Sequence, residues 1–175
     1  MDALGQTHRH SGRRPRPPIL KGSYLKTSRH PELNNAVGTA AERSRLGRNK
    51  LKELHGDFGA DVLNALDEVN PELKNWIIDF GYGTVYRSKK LDARARQIAT
   101  LTALICLRHF GREFESHVRA ALKIGITCDE ILGIAEHCAL YAGFPAALAA
   151  TKAIQDVLTR LPASTDRRQS KRRTR

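Results

Sequence analysis

Two stretches of this sequence set acids, imidazoles and a phenol at helical spacing. In REFESHVRAALKI, which begins at Arg112, Phe114, Val118, Ala121 and Leu122 form an apolar stripe, and His117 lies on the same side. Glu113 stands four residues before His117, one turn away, where a carboxylate can hydrogen-bond an imidazole. Such a pair would raise the histidine pKa, fix its ring and equip it for proton transfer. Glu115, two residues away, points to another face and is a poor partner. The second stretch, CDEILGIAEHCALYAG, carries Glu130, Gly133, His137 and Tyr141 at i, i+3, i+7 and i+11, along one narrow face. Gly133 leaves a gap one turn below His137, suited to a small ligand or to a closely packed neighbouring helix. For each histidine alone, the competing reading is a hydrogen-bonded, half-buried core residue.

Other chemistries find little support in the residue pattern. The histidines His117 and His137 fall on separate helices, and no H-x-x-x-H or E-x-x-H motif accompanies them, so no metal site is expected. The three cysteines, Cys106, Cys128 and Cys138, include no C-x-x-C and make a disulfide framework unexpected. Cys106 and Cys138 read as small buried hydrophobes on apolar helices, whereas Cys128 begins a helix, where its pKa could fall. Ser-His-Asp, P-loop and dinucleotide fingerprints are absent.

The elements that must carry these residues read as all-α. Asn70-Pro71 is an N-cap followed by a first-turn proline, opening PELKNWIIDFGYGTVY with Leu73, Trp76, Ile77 and Phe80 as its apolar stripe. The segment LDARARQIATLTALICL is apolar around most of its circumference after Ile98, as a central buried helix would be. Thr127-Cys-Asp-Glu130 is a capping-box pattern, and Pro145 starts a last helix that ends before Pro162. Upstream, residues 31–56 read as two helical pieces interrupted near Gly38, the second stopping at Gly56. No run alternates with period two long enough for a strand. Short connections predict antiparallel helix hairpins, and the alanines from Ala146 to Ala153 let helices approach closely or serve as an oligomer face.

The formal net charge of +12 raises the question of nucleic acid. Residues 1–30 hold seven Lys/Arg against Asp2, and residues 163–175 hold six against Asp166, so the intervening domain has 17 basic and 16 acidic residues. The charge belongs to two tails, expected to be disordered and to meet polyanions only non-specifically. The expected organisation is a basic arm over 1–30, a helical domain over 31–162 and a basic tail over 163–175. With no stretch of eighteen apolar residues and no apolar leader, the expected location is the cytoplasm, without membrane contact.

The ordered run from Leu91 to Ala150 resembles the signature region of the carboxymuconolactone decarboxylase family. The matching residues are Leu91-Asp92, Arg96, Glu113, His117, Ala120-Ala121-Leu122, Gly125-Ile126-Thr127 and Asp129-Glu130-Ile131, then His137, Tyr141, Gly143 and Pro145-Ala146. Upstream, GYGTVYRSKKLD is similar to the family's Trp-Gly-x-x-Trp-x-Arg-Pro-Gly-Leu-Asp segment, with Ser88-Lys89-Lys90 in place of Arg-Pro-Gly. Glycine stands at 133, where the family usually has Glu. The resemblance implies an all-α subunit in a trimer or hexamer, with pockets near subunit contacts. It also implies decarboxylation of 4-carboxymuconolactone to an enol-lactone, without a cofactor. A second branch of the superfamily, alkylhydroperoxidase D, uses a C-x-x-C pair that this chain lacks.

On that resemblance the expected activity is a carboxy-lyase acting on a small anionic lactone or keto-acid. His117, oriented by Glu113, would be the proton donor, and His137 or Tyr141 would stabilise the oxyanion. Arg96 and Arg112 would hold substrate carboxylates, with Glu130 also lining the site. Two alternatives stand beside it: a peroxidase-like protein using a single cysteine, and a non-catalytic oligomeric accessory protein whose tails bind a polyanion.

Overall fold

The computed structural model describes residues 38–161, so the expected basic arm and tail lie outside the described residues. Six α-helices and no strand occur among them, in agreement with the all-α expectation. Helix α1 (Ala40–Asn64) starts at Thr39, whose hydroxyl accepts the Glu42 N–H at 3.2 Å. It does not stop at Gly56, as the sequence suggested. Gly56 has φ 62° and ψ −155°, a region open to glycine alone, and the helix bends there and resumes to Asn64. The resumed part still has apolar surface to bury: Leu63 joins Leu51 and Leu54 in one core.

Asn70 caps α2 (Pro71–Trp76) by accepting the Leu73 N–H at 3.0 Å. The helix then widens into a π-helical segment, Ile77–Tyr82. Each π turn takes in an extra residue, which rotates the inward face away from the expected stripe. Ile78 and Tyr82 are therefore buried, while Trp76 and Phe80 are each 67% exposed. Helix α1 rides directly on this segment: a Cβ at Gly47 would lie 2.1 Å from the Ile78 carbonyl oxygen. That close approach carries Tyr82 toward the middle of α1.

After a 3-10 turn (Val85–Arg87), α3 (Ala93–Cys106) is capped by Asp92, which accepts the Ala95 N–H at 2.7 Å. Next come α4 (Arg112–Lys123) and α5 (Cys128–Ala142), then α6 (Phe144–Thr159). Thr127 and Glu130 form the capping box that the sequence indicated at the start of α5. Gly143, at φ 82°, turns α5 into α6, and the buried Ala146, Ala147 and Ala150 let the two helices pack closely. Leu101 and Ile105 of α3 meet Phe114 and Val118 of α4, Ile131 of α5 and Ile154 of α6 in the main core. The second core lies between α1 and the π-helical segment, and Ile124 touches both. No helix among the described residues is long and apolar enough to cross a membrane.

Candidate active site

Where the two cores meet, α1, the π-helical segment, α3 and α4 each contribute a polar side chain to one buried cluster. Gln97 is wholly buried on α3, at i−4 and i−8 from the core residues Leu101 and Ile105. Its Oε1 lies 3.0 Å from His117 Nδ1. An amide oxygen only accepts, so Nδ1 carries the hydrogen and the Nε2 lone pair of His117 is left for another partner. The His55 ring stands perpendicular to that of His117, with centroids 4.8 Å apart. His55 Nδ1 reaches the Ser116 hydroxyl at 2.9 Å and the Ser116 carbonyl at 3.3 Å. Since a carbonyl cannot donate, His55 Nδ1–H is the donor, and its Nε2 accepts from the Tyr82 hydroxyl at 3.0 Å. The result is an ordered series from Tyr82 through His55 to Ser116, with His117 and Gln97 alongside.

Burial governs the charge state of this cluster. It lowers the His117 pKa to about 3, with the neighbouring His55 adding to the effect. Burial likewise lowers His55 to about 4, opposed by the Ser116 carbonyl and assisted by the Lys123 ammonium. Burial pushes the Tyr82 hydroxyl above its ordinary range, and the nearby Tyr86 adds to that. Near neutral pH both imidazoles are uncharged and Tyr82 keeps its proton. The Gln97 Nε2 is buried with no hydrogen-bond partner among the described residues, so an amide donor stands unused beside His117.

This geometry revises the picture built on Glu113. Side chains on a helix lean toward its N-terminus, so the exposed Glu113 leans away from His117. Its Oε2 would lie 2.7 Å from a Cβ placed on Gly111, at the start of α4. The partner of His117 is Gln97, a neutral group twenty residues away, and the histidine pKa is lowered where the Glu113 pairing implied a raised one.

The other expected site residues lie elsewhere in the subunit. The Arg96 guanidinium donates to the Ser88 carbonyl at 2.8 Å and the Leu91 carbonyl at 3.2 Å, and lies over the Tyr86 ring. It braces the loop ahead of α3. Arg112 is exposed, lies over the Phe58 ring, and lines an open cleft of about 330 Å³ shared with Glu115 and Arg160. None of the lining residues of that cleft belongs to the histidine cluster. Glu130 completes the capping box and pairs with Arg94; the hydrogen bond from the Thr127 N–H holds its carboxyl below the usual range. The rings of His137 and Tyr141 lie with centroids 5.3 Å apart and planes inclined by 55° on the outside of α5, where Tyr141 is 78% exposed. The gap at Gly133 stays open, with nothing within 4 Å of a Cβ built there.

His55, Tyr82, Gln97 and Ser116 were absent from the sequence-based site. One signal was available for two of them: Gln97 extends the Leu101–Ile105 stripe, and His55 follows Leu51 and Leu54, so each puts a polar group on an apolar face. Among the described residues, no group of three or more His, Cys, Asp or Glu side chains is arranged to hold a metal ion.

The comparisons with known proteins fall on the same region. The carboxymuconolactone decarboxylase family matches residues 71–156, a span that includes Tyr82, Gln97, Ser116 and His117 but not His55. The chain is 36% identical over 97 residues to a 4-carboxymuconolactone decarboxylase of Acinetobacter baylyi, a match covering 54% of this chain and 70% of that protein. With its all-α architecture and these matches, the chain belongs to the carboxymuconolactone decarboxylase family.

Proposed function

We propose that this protein is a carboxy-lyase that removes CO₂ from a small anionic lactone or keto-acid of the 4-carboxymuconolactone kind, with His117 as the proton carrier and without a cofactor. The observation that carries the reading is the Gln97–His117 hydrogen bond within the family-matched segment. It holds the imidazole in one tautomer and leaves Nε2 available to a ligand. In the free protein His117 is neutral, so it must gain a proton before it can give one. An anionic substrate supplies the cause: a carboxylate within a few ångströms favours the imidazolium and raises its pKa. As the C–C bond to the carboxylate breaks, its electron pair passes into the ring as a dienolate. The imidazolium then protonates carbon and returns to the neutral state. The unpartnered Gln97 amide N–H is a donor suited to a substrate oxygen as negative charge develops on it.

The direct test is CO₂ release from 4-carboxymuconolactone by the full-length protein. Release no faster than in buffer alone, at high protein concentration, would overturn the reading.

The protein acts, in this proposal, as a cytoplasmic homo-oligomer, a trimer or hexamer, with Arg112, His137 and Tyr141 contributing at or near subunit contacts. What supports assembly is apolar surface around the turn from α5 to α6: Leu140, Tyr141, Phe144 and Leu148 are each 71–78% exposed. Light scattering should give a mass several times that of the chain, and Phe144→Glu with Leu148→Glu should reduce it to a monomer. A monomeric wild-type protein at micromolar concentration would refute assembly.

A further inference from the structure

We propose that His55 is a positioning residue of the candidate site: tied to Tyr82 and Ser116, it holds the plane of the His117 ring, and the break in α1 at Gly56 brings it there. The use made of His117 rests on the carboxy-lyase reading, but His55 itself lies outside the family-matched segment. The two imidazoles differ in what they leave free. Both nitrogens of His55 are occupied, Nδ1 by the Ser116 hydroxyl and carbonyl and Nε2 by the Tyr82 hydroxyl. A ring so saturated cannot take up or hand on a proton without losing a bond inside a desolvated volume. His117 has one bond, from Nδ1 to Gln97, and an open Nε2. That bond decides which nitrogen faces a ligand but leaves the ring free to tilt about it. The His55 ring, perpendicular at a centroid distance of 4.8 Å, stands where it blocks the tilt. Because Ser116 adjoins His117 in the chain, the same bonds register His55 against the backbone that carries His117.

The local geometry of α1 serves this placement. Gly56, at φ 62°, follows His55 directly and turns the chain out of the helical path. Residues four apart on a regular helix keep their Cβ atoms about 5–6 Å apart. A Cβ on Gly59 would instead lie 2.2 Å from that of His55, and 3.4 Å from the Ser116 hydroxyl oxygen. The break therefore folds the next turn onto His55, and only glycine at 59 leaves room for it. Helix α4 holds the same part of α1 at a second point, where the Lys123 ammonium donates to the Glu53 carbonyl at 2.6 Å. Ser116 and Lys123 are seven residues apart, two turns along one face of α4. Two points of attachment fix α1 in position and in rotation at the turn from which His55 projects.

The test takes two readouts on the full-length protein: NMR of the imidazole nitrogens with labelled histidine at neutral pH, and turnover of 4-carboxymuconolactone. The wild-type protein should show Nδ1–H tautomers for both His55 and His117, one signal set each. His55→Ala should displace or broaden the His117 set and lower kcat by about 10–10²-fold with KM within about twofold, the signature of a misaimed proton donor. His55→Phe keeps a ring beside His117 and should return kcat to within about fivefold of wild type. Tyr82→Phe removes one oxygen and keeps both rings, so it covers the case in which His55→Ala folds poorly. It should disturb the His117 signals in the same sense. Unchanged His117 signals in both His55→Ala and Tyr82→Phe would overturn the proposal. So would a kcat in His55→Phe as low as in His55→Ala, which would make His55 a proton carrier. A wild-type protein without turnover would instead sink the carboxy-lyase reading, while the imidazole signals still decide whether His55 holds His117.

Discussion

Replacing His117 with glutamine is expected to lower kcat/KM for 4-carboxymuconolactone by about 10²–10⁴-fold, the range typical of removing a positioned proton-transfer group. Glutamine keeps a polar side chain of similar reach but has no group that can carry the proton. The fall should appear mainly in kcat, because substrate still docks but the dienolate goes unprotonated. Circular dichroism and oligomer mass should stay as in the wild-type protein, since His117 is only partly buried and its core neighbours Phe114 and Val118 remain. Glu113→Gln is the informative contrast. Its carboxylate lies back against Gly111, so this change should alter kcat/KM by less than about threefold. If Glu113→Gln instead matched His117→Gln, the carboxylate would have to swing to the imidazole in the substrate complex, and Gln97 would lose its positioning role. Gln97→Glu offers a further check: a carboxylate on Nδ1 favours the imidazolium, so the pH profile should shift to higher pH.

Acid should destabilise the protein well before its carboxylates titrate. The unfolded histidine pKa is 6.5, and burial lowers the folded values to about 4 for His55 and about 3 for His117. Above pH 6.5 both rings are neutral in either state, and their contribution to stability is complete. As the pH falls below 6.5, the unfolded chain binds two protons that the native state refuses, so stability falls with pH. The loss levels off only as pH passes through about 4 and then about 3, where the folded rings also protonate. Each ring contributes a slope of up to about 1.4 kcal/mol per pH unit. Denaturant titrations at pH 7.0, 6.0 and 5.0, at fixed protein concentration, read this slope directly. In His55→Leu the slope should drop by about one proton whatever happens to absolute stability, which the orphaned Tyr82 hydroxyl will also affect. A wild-type stability flat between pH 7.0 and 5.0 would mean that the rings are solvated and the cluster open.

What the sequence determined by itself about this protein is what neighbouring residues decide among themselves. The Thr127–Glu130 capping box and the Asn70-Pro71 start each close hydrogen bonds over three residues, and a span so short leaves little for distant contacts to alter. The helical class and the burial of Phe114, Val118 and Ile131 follow from periodicity in the same way. The tertiary structure decided everything that depends on how one helix lies against another. Gly56 read as a stop because its own φ breaks a helix, yet burial of Leu63 restarts the chain beyond it. The π-helical segment moved the inward face from Trp76 and Phe80 to Ile78 and Tyr82, a rotation that a 3.6-residue period does not anticipate. Residue spacing offered His117 a partner one turn away, whereas the directional lean of helical side chains sends Glu113 elsewhere and the packing of α3 on α4 supplies Gln97. His55 comes to Ser116 across 61 residues. Local hydrogen bonds are fixed by spacing along the chain; the proton chemistry of the buried cluster depends on which groups share one desolvated volume, and only packing sets that.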